Sequence, residues 1–282
     1  MNETGSTQLD KLIRELWSSD ILAGLYEIGQ ATNRVTRVDG DVSAPGDILH
    51  LPAMPSLTVN NVSSAGAVTR QTVTPTEAQL TVDKVKEVTI DVVDYSARQA
   101  GLDIFEPFKR DAARALDEQM ETDLLALYSD VSTYTDGDST SNANEDLLTN
   151  AVQSLLTAKL GRDLKDPNRC SFVFHTSQWA QLKKQKVFSD ASITGEAMGG
   201  GLKMGVPSIY GIPTFFSASV ASSGSARQNL LFTKDAFALG VQNPIGVTPL
   251  AKVQLSEAVV VHCLYGVKTR AEARAALIKT KA

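Results

Sequence analysis

Side chains that can hold a metal, move a proton or attack a carbonyl are scarce in this chain. It carries three histidines (His50, His175, His262) and two cysteines (Cys170, Cys263) in 282 residues. Cys170, His175, His262 and Cys263 form the one available set for a zinc site of two thiolates and two imidazoles. His262 and Cys263 are adjacent in an apolar run that reads as a strand, so their side chains point to opposite faces. The step from Cys170 to His175 fits no zinc-finger spacing. No metal ligand is therefore assigned, and both cysteines are expected as free, buried thiols. Asp136, Asp138, Thr140 and Asn142 resemble the opening half of a calcium loop, but the sixth position is not glycine and the twelfth is Leu147. A surface turn is expected there. The glycines at 199, 200, 201 and 205 match neither phosphate-cradling pattern, and no GxSxG elbow is present. His175 is the one candidate base. A hydrolase built on it stays open as an alternative, because a triad can assemble without a local motif. No catalytic residue and no cofactor is assigned, and the chain is read as a non-enzyme.

Composition narrows the classes further. The chain is 43% hydrophobic and 21% charged, so it can bury a sizeable core and is not disordered by composition. Its 32 acids against 27 bases give a formal net charge of −5, which offers no global attraction to nucleic acid. The start, MNETGSTQLDKLIREL, lacks the basic and apolar regions of a secretory signal. The uncharged stretch 205–226 is broken by Pro207 and Pro213 and is too polar to span a membrane. No membrane partner is expected, and a reducing cytoplasm is the expected place of synthesis.

The elements follow from periodicity. Residues 8–30 place Leu9, Leu12, Leu16, Trp17, Leu22 and Leu25 at helical spacing. This amphipathic stripe requires a surface, either the chain's own core or a neighbouring subunit. Over 33–79, Pro45, Pro52, Pro55 and Pro75 punctuate short strand-like runs. Over 80–93, Leu80, Val82, Val88, Ile90 and Val92 share one face, interrupted by Lys84 and Lys86. Such a segment suits a long β-hairpin leaving its domain, and a lone hairpin is marginal in water, so it requires a second body. Over 102–128, Phe105, Phe108, Ala112, Leu116, Met120, Leu124 and Leu127 form one stripe. Glu106–Arg110 and Arg114–Glu118 stand at i,i+4 on the polar face. The predicted helix is roughly 40 Å long at 1.5 Å per residue, the width of a domain. A second helix is expected over 145–160, capped by Gly161. A buried strand follows at 170–174 and a short helix after His175; further strands lie near 208–217, 229–242 and 253–267. The first 47 residues hold eight acids and four bases, whereas Lys268, Arg270, Arg274, Lys279 and Lys281 face one acid, Glu272, at the far end. This asymmetry suits contacts between unlike surfaces of neighbouring copies.

The order of these parts resembles the major capsid protein family of tailed bacteriophages, the Hong Kong ninety-seven fold. DIFEPFKRDAARALDEQMETDLLALY (103–128) looks like that family's spine helix. CSFVFHTSQWAQLKKQKVF (170–188) looks like its axial strand and helix, YGIPTFFS (210–217) like its G-x-P strand, and AVVVHCLYGVKTRAEARAALIKT (258–280) like its closing strands. The resemblance implies an α+β fold: an N-terminal arm (1–32), an extended hairpin loop (33–93) and a peripheral domain with the spine helix (94–144). An axial domain (145–240), returning peripheral strands (241–270) and a closing axial strand (271–282) complete it. It implies Leu12, Leu16, Trp17, Leu22, Lys84 and Lys86 as inter-subunit contacts, and Phe105, Phe108, Leu116, Met120 and Leu124 as spine-helix core. It further implies self-assembly through pentamers and hexamers into an icosahedral virion shell around double-stranded DNA, without sequence-specific binding. A separate scaffolding protein and a portal are the other implied partners. An encapsulin-type compartment shares the fold and is the alternative. No cross-linking motif accompanies Lys84 or Lys86.

Overall fold

The computed structural model describes residues 29–43, 46–53, 57–62, 66, 68, 70–93, 105–184, 208–250 and 256–282. The expected arm helix with Leu12, Leu16, Trp17 and Leu22 lies outside these residues, as does the glycine-rich stretch 195–205. Among the described residues the chain runs β1 (Thr36–Arg37), α1 (Asp39–Val42), β2 (Ile48–Ala53), β3 (Thr76–Thr81), β4 (Lys84–Val93) and α2 (Phe105–Leu125). Next come β5 (Thr135–Gly137), α3 (Glu145–Thr157), α4 (Gly161–Leu164), β6 (Cys170–His175) and α5 (Trp179–Lys184). The rest is strand: β7 (Ser208–Ile209), β8 (Ile212–Ser217), β9 (Ser222–Ser223), β10 (Ala226–Thr233), β11 (Phe237–Pro249), β12 (Ser256–Thr269) and β13 (Ala275–Lys281).

Three sheets form. The first has the order β1-β11-β12-β4, and the second β5-β13-β10-β6-β8-β7 with β9 against β10; β2 and β3 make a separate hairpin. The first sheet is covered on both faces. Val261, Cys263, Tyr265 and Val267 of β12 pack with Leu239 of β11 against the stripe of α2. Their strand neighbours Ala238 and Leu264 face a smaller cluster of Val38, Val42, Leu51, Leu80 and Val82 at the hairpin root. The period of two in each strand thus separates helix from hairpin. A third cluster joins α3 (Leu148, Ala151, Leu155) to Phe172 and Phe174 of β6 and Leu182 of α5.

Helix α2 forms where its stripe requires it. Ala112, Leu116, Met120 and Leu124 are buried and Phe108 is partly buried. Phe105 opens the helix, and Pro107 occupies the first turn, where a missing N–H leaves no intrahelical bond unmade. The surface ion pairs differ from the expected spacing. Lys109 meets Glu106 at 2.7 Å and Arg114 meets Asp111 at 3.7 Å, both at i,i+3.

Two boundaries also differ. α3 starts on Asn144, whose side chain accepts from the Leu147 N–H at 3.0 Å. It ends at Thr157, short of Gly161, because Lys159 turns left-handed (φ 64°) and Leu160 N–H returns to the Leu155 carbonyl at 3.1 Å. That is a Schellman ending with a leucine pair behind it. The run 80–93 is two strands. β3 ends at Thr81 and pairs with β2, whereas β4 pairs with β12 at the edge of the first sheet. The hairpin proper is therefore β2, β3 and what they connect. Leu80 and Val82 belong to its root cluster, and Val88 packs toward α2.

Candidate functional site

The scarce reactive groups are not brought together. Cys170 lies in β6 and Cys263 in β12, in different sheets and different core clusters. Burial pushes the Cys170 thiol up to about 12, and burial raises Cys263 as well, so both stay protonated. His175 is spent on the backbone: its Nδ1 accepts from Ser177 N–H at 3.1 Å and lies 2.8 Å from Ser177 Oγ. Burial and the charge of Arg227 lower its pKa, which favours this neutral, capping form. The arrangement is a cap for the following helical turn, not a relay of nucleophile, base and acid. His50 sits on the hairpin with Nδ1 3.1 Å from Glu77. Asp138 forms the expected turn, accepting from the N–H and hydroxyl groups of Thr140 and Ser141 at 2.8 Å each, and these bonds lower it to about 2. Among the described residues no group of three or more His, Cys, Asp or Glu is placed to hold a metal ion.

The polar side chains that matter instead tie segments to α2. Asp117 accepts from Gly29 N–H at 2.9 Å. The buried Glu121 carboxylate accepts from the backbone N–H groups of Gln30 and Ala31. Two carboxylates one helical turn apart therefore grip the root of the segment that precedes β1. Two residues further along α2, Asp123 accepts from the buried Tyr265 hydroxyl at 2.9 Å and from Gln119 at the same distance. Lys84 Nζ lies 3.3 Å and Lys86 Nζ 3.8 Å from the same carboxylate. Burial works to raise Asp123, but the Tyr265 bond and the two ammonium charges outweigh it and hold it low. The cationic interruption of β4 thus has a partner inside the chain. Lys84, Lys86 and Val88 point to the helix side of the sheet, opposite Tyr265, Cys263 and Val261. Sequence reasoning identified the polar side of α2 but not these acceptors. The signal was a pair of acids one turn apart, Asp117 and Glu121, beside the apolar stripe, and a third, Asp123, set among the stripe positions three residues after Met120.

A second ionic cluster spans the two large sheets. Asp235, in the β10–β11 turn, receives Arg169 at 2.9 Å and Arg274 at 3.4 Å. Asp163 receives the same two arginines at 3.2 and 3.3 Å. Beyond the hairpin root, in contrast, apolar side chains meet water: Leu57, Val59, Val62 and Val68 are all exposed, Val59 at 95%. Thr58 and Gln71 hold the two limbs together there, Thr58 N–H donating to the Gln71 amide oxygen at 3.2 Å.

No family model and no curated protein matches the chain by sequence. Solved structures do match it by shape. A structure from Mycobacterium phage Che8 is 22% identical with a TM-score of 0.77, covering 94% of this chain and 96% of its own. The mature capsid of bacteriophage PhiM1 is 13% identical with a TM-score of 0.74, covering 99% and 96%. The capsid of the native GTA particle is 11% identical with a TM-score of 0.75, covering 100% of both chains. The chain is thus similar over nearly its whole length to capsid structures. It has the α+β Hong Kong ninety-seven fold that the order of its segments implies.

Proposed function

We propose that this chain is a major capsid protein, a structural and non-enzymatic subunit that assembles through pentamers and hexamers into the icosahedral shell of a phage-like particle. One observation carries the reading: a two-stranded hairpin that presents Val59, Val68 and their neighbours to solvent beyond a small root cluster. An isolated hairpin of this kind does not bury enough surface to stand alone, and a neighbouring copy supplies what is missing. Contacts of this heterologous kind close by rotation into rings and shells. The likeness to capsid structures supports the same reading.

In this reading the hairpin lies over an adjacent subunit. The arm with Leu12, Leu16, Trp17 and Leu22 lies across another, starting from the grip of Asp117 and Glu121. Lys84 and Lys86, half-exposed beside Asp123, stand where a neighbouring carboxylate can share them. The shell encloses double-stranded DNA without reading its sequence, which a net charge of −5 permits when counterions accompany the genome. A separate scaffolding protein and a portal complete the set of partners, and the virion is the final location. Negative-stain microscopy of the expressed chain, alone and with a scaffolding partner, tests this. Closed particles of uniform diameter are expected, and a chain that stays a compact monomer at high concentration in both conditions refutes it. Particles that contain protein cargo and no nucleic acid would instead indicate the encapsulin-type alternative.

A further inference from the structure

Two glycines face each other in the middle of the first sheet, Gly240 on β11 and Gly266 on β12. Opposed residues of an antiparallel pair share a face, and this face carries the hairpin root. The bare patch is filled by backbone. A Cβ at Gly266 would stand 2.2 Å from the Thr81 carbonyl oxygen, 2.9 Å from its carbon and 3.1 Å from Leu80 Cδ2. The nearest atoms to a Cβ at Gly240 would be methyl groups of Val38 and Val42, at 3.1 to 3.3 Å. The last residue of β3 is thus seated on Gly266 itself, while α1 sits over Gly240. Two bonds strap the same region: Val241 N–H donates to Asp39 at 2.9 Å, and Gln242 donates to the Gly46 carbonyl at 3.0 Å.

The geometry points to Gly266 as the positioning residue that sets the angle at which the hairpin leaves the body. A glycine inside a strand commonly marks close approach by another backbone, and here that backbone is the hairpin's own root. No flexible side-chain end is available to yield at Gly266, because the obstructing atom is a carbonyl oxygen. Lifting the root by about 1 Å, pivoted on the next strand some 4.8 Å away, swings a point roughly 30 Å out by about 6 Å. That displacement exceeds what a packed interface between rigid copies accommodates. The consequence for assembly rests on the capsid reading; the seat itself does not.

Gly266→Ala and Gly240→Ala separate the two roles. Amide hydrogen exchange of purified Gly266→Ala is expected to accelerate at least tenfold in β2 and β3, with α2 and β6 at the parent's rates. Gly240→Ala is expected to stay within twofold of the parent throughout. In assembly, Gly266→Ala should give at least tenfold fewer closed shells than the parent, and Gly240→Ala a yield within twofold. Unchanged exchange in β2 and β3, or equal acceleration in every element, overturns the seat. Parent-like shell yield and diameter from Gly266→Ala overturns its role in positioning. A parent chain that forms no shells refutes the capsid reading alone, because the exchange measurement still decides the seat.

Discussion

The first sheet is covered on its two faces by opposite means. One face lies under α2, whose buried Leu116, Met120 and Leu124 meet a continuous row from β11 and β12, with Asp123 and Tyr265 as a polar pin. The other face carries a small cluster around Leu80, two glycines and a hairpin whose outer apolar residues stay in solvent. The helix face is complete within one chain. The hairpin face is a mount for something that reaches outward. In the capsid reading the difference makes stability and assembly separable, and substitutions on each side should separate them.

The largest effect is expected from Leu116→Asp, which places a carboxylate in the helix face. The cost, on the order of 5 kcal/mol or more, is comparable to the whole stability of a domain. A soluble variant with parent-like far-ultraviolet circular dichroism would break the comparison at its base. Leu124→Ala should cost about 3 kcal/mol, since the site is fully buried among rigid neighbours, and denaturant melts will read it. Tyr265→Phe removes one donor while Lys84 and Gln119 still hold Asp123, so a loss of about 1 kcal/mol is expected in the same melts.

The fourth test uses acid. Glu272 accepts from the N–H and hydroxyl groups of both Ser132 and Thr133, and these bonds lower it from 4.5 to about 2. A depressed folded-state value means the contribution is complete above pH 4.5 and is lost as pH falls toward about 2. Glu272→Gln should therefore lower stability slightly at neutral pH, flatten the stability curve within that window, and converge on the parent near pH 2. Solvent access makes the effect small. The smallest stability change is expected from Val59→Ser on the hairpin, within about 0.5 kcal/mol. Its shell yield should nevertheless fall, and a parent-like yield would remove the reason for separating the two faces.

Much of the helix face was legible in the sequence, because a stripe such as Phe108, Leu116, Met120 and Leu124 announces both element and orientation. β6 was legible for a related reason: CSFVF is too short and too apolar for a surface helix. The hairpin face was harder. The alternation through Leu80, Val82 and Val88 keeps its parity across the break at residues 82–83, so one strand and two read alike. The roles of Asp117, Glu121 and Asp123 were hidden for another reason. Periodicity separates wet from dry faces, but it cannot tell a solvated carboxylate from one covered later by Gly29–Ala31 or by Tyr265. Gly240 and Gly266 were visible as glycines inside strands, but the object they make room for lies some 185 positions away in sequence from Gly266, a long-range contact that local pattern does not encode.

One topological fact bears on how the molecule is made. β13 lies between β5 and β10, pairing with residues first synthesised more than a hundred positions earlier, and β12 likewise joins β4 to β11. Neither large sheet can close before the last strands leave the ribosome. Nascent chains on one message therefore lack the finished mount for the hairpin while they are still crowded together. In the capsid reading, premature association between neighbouring chains is disfavoured by timing, because the mount is finished only after β12 and β13 have emerged.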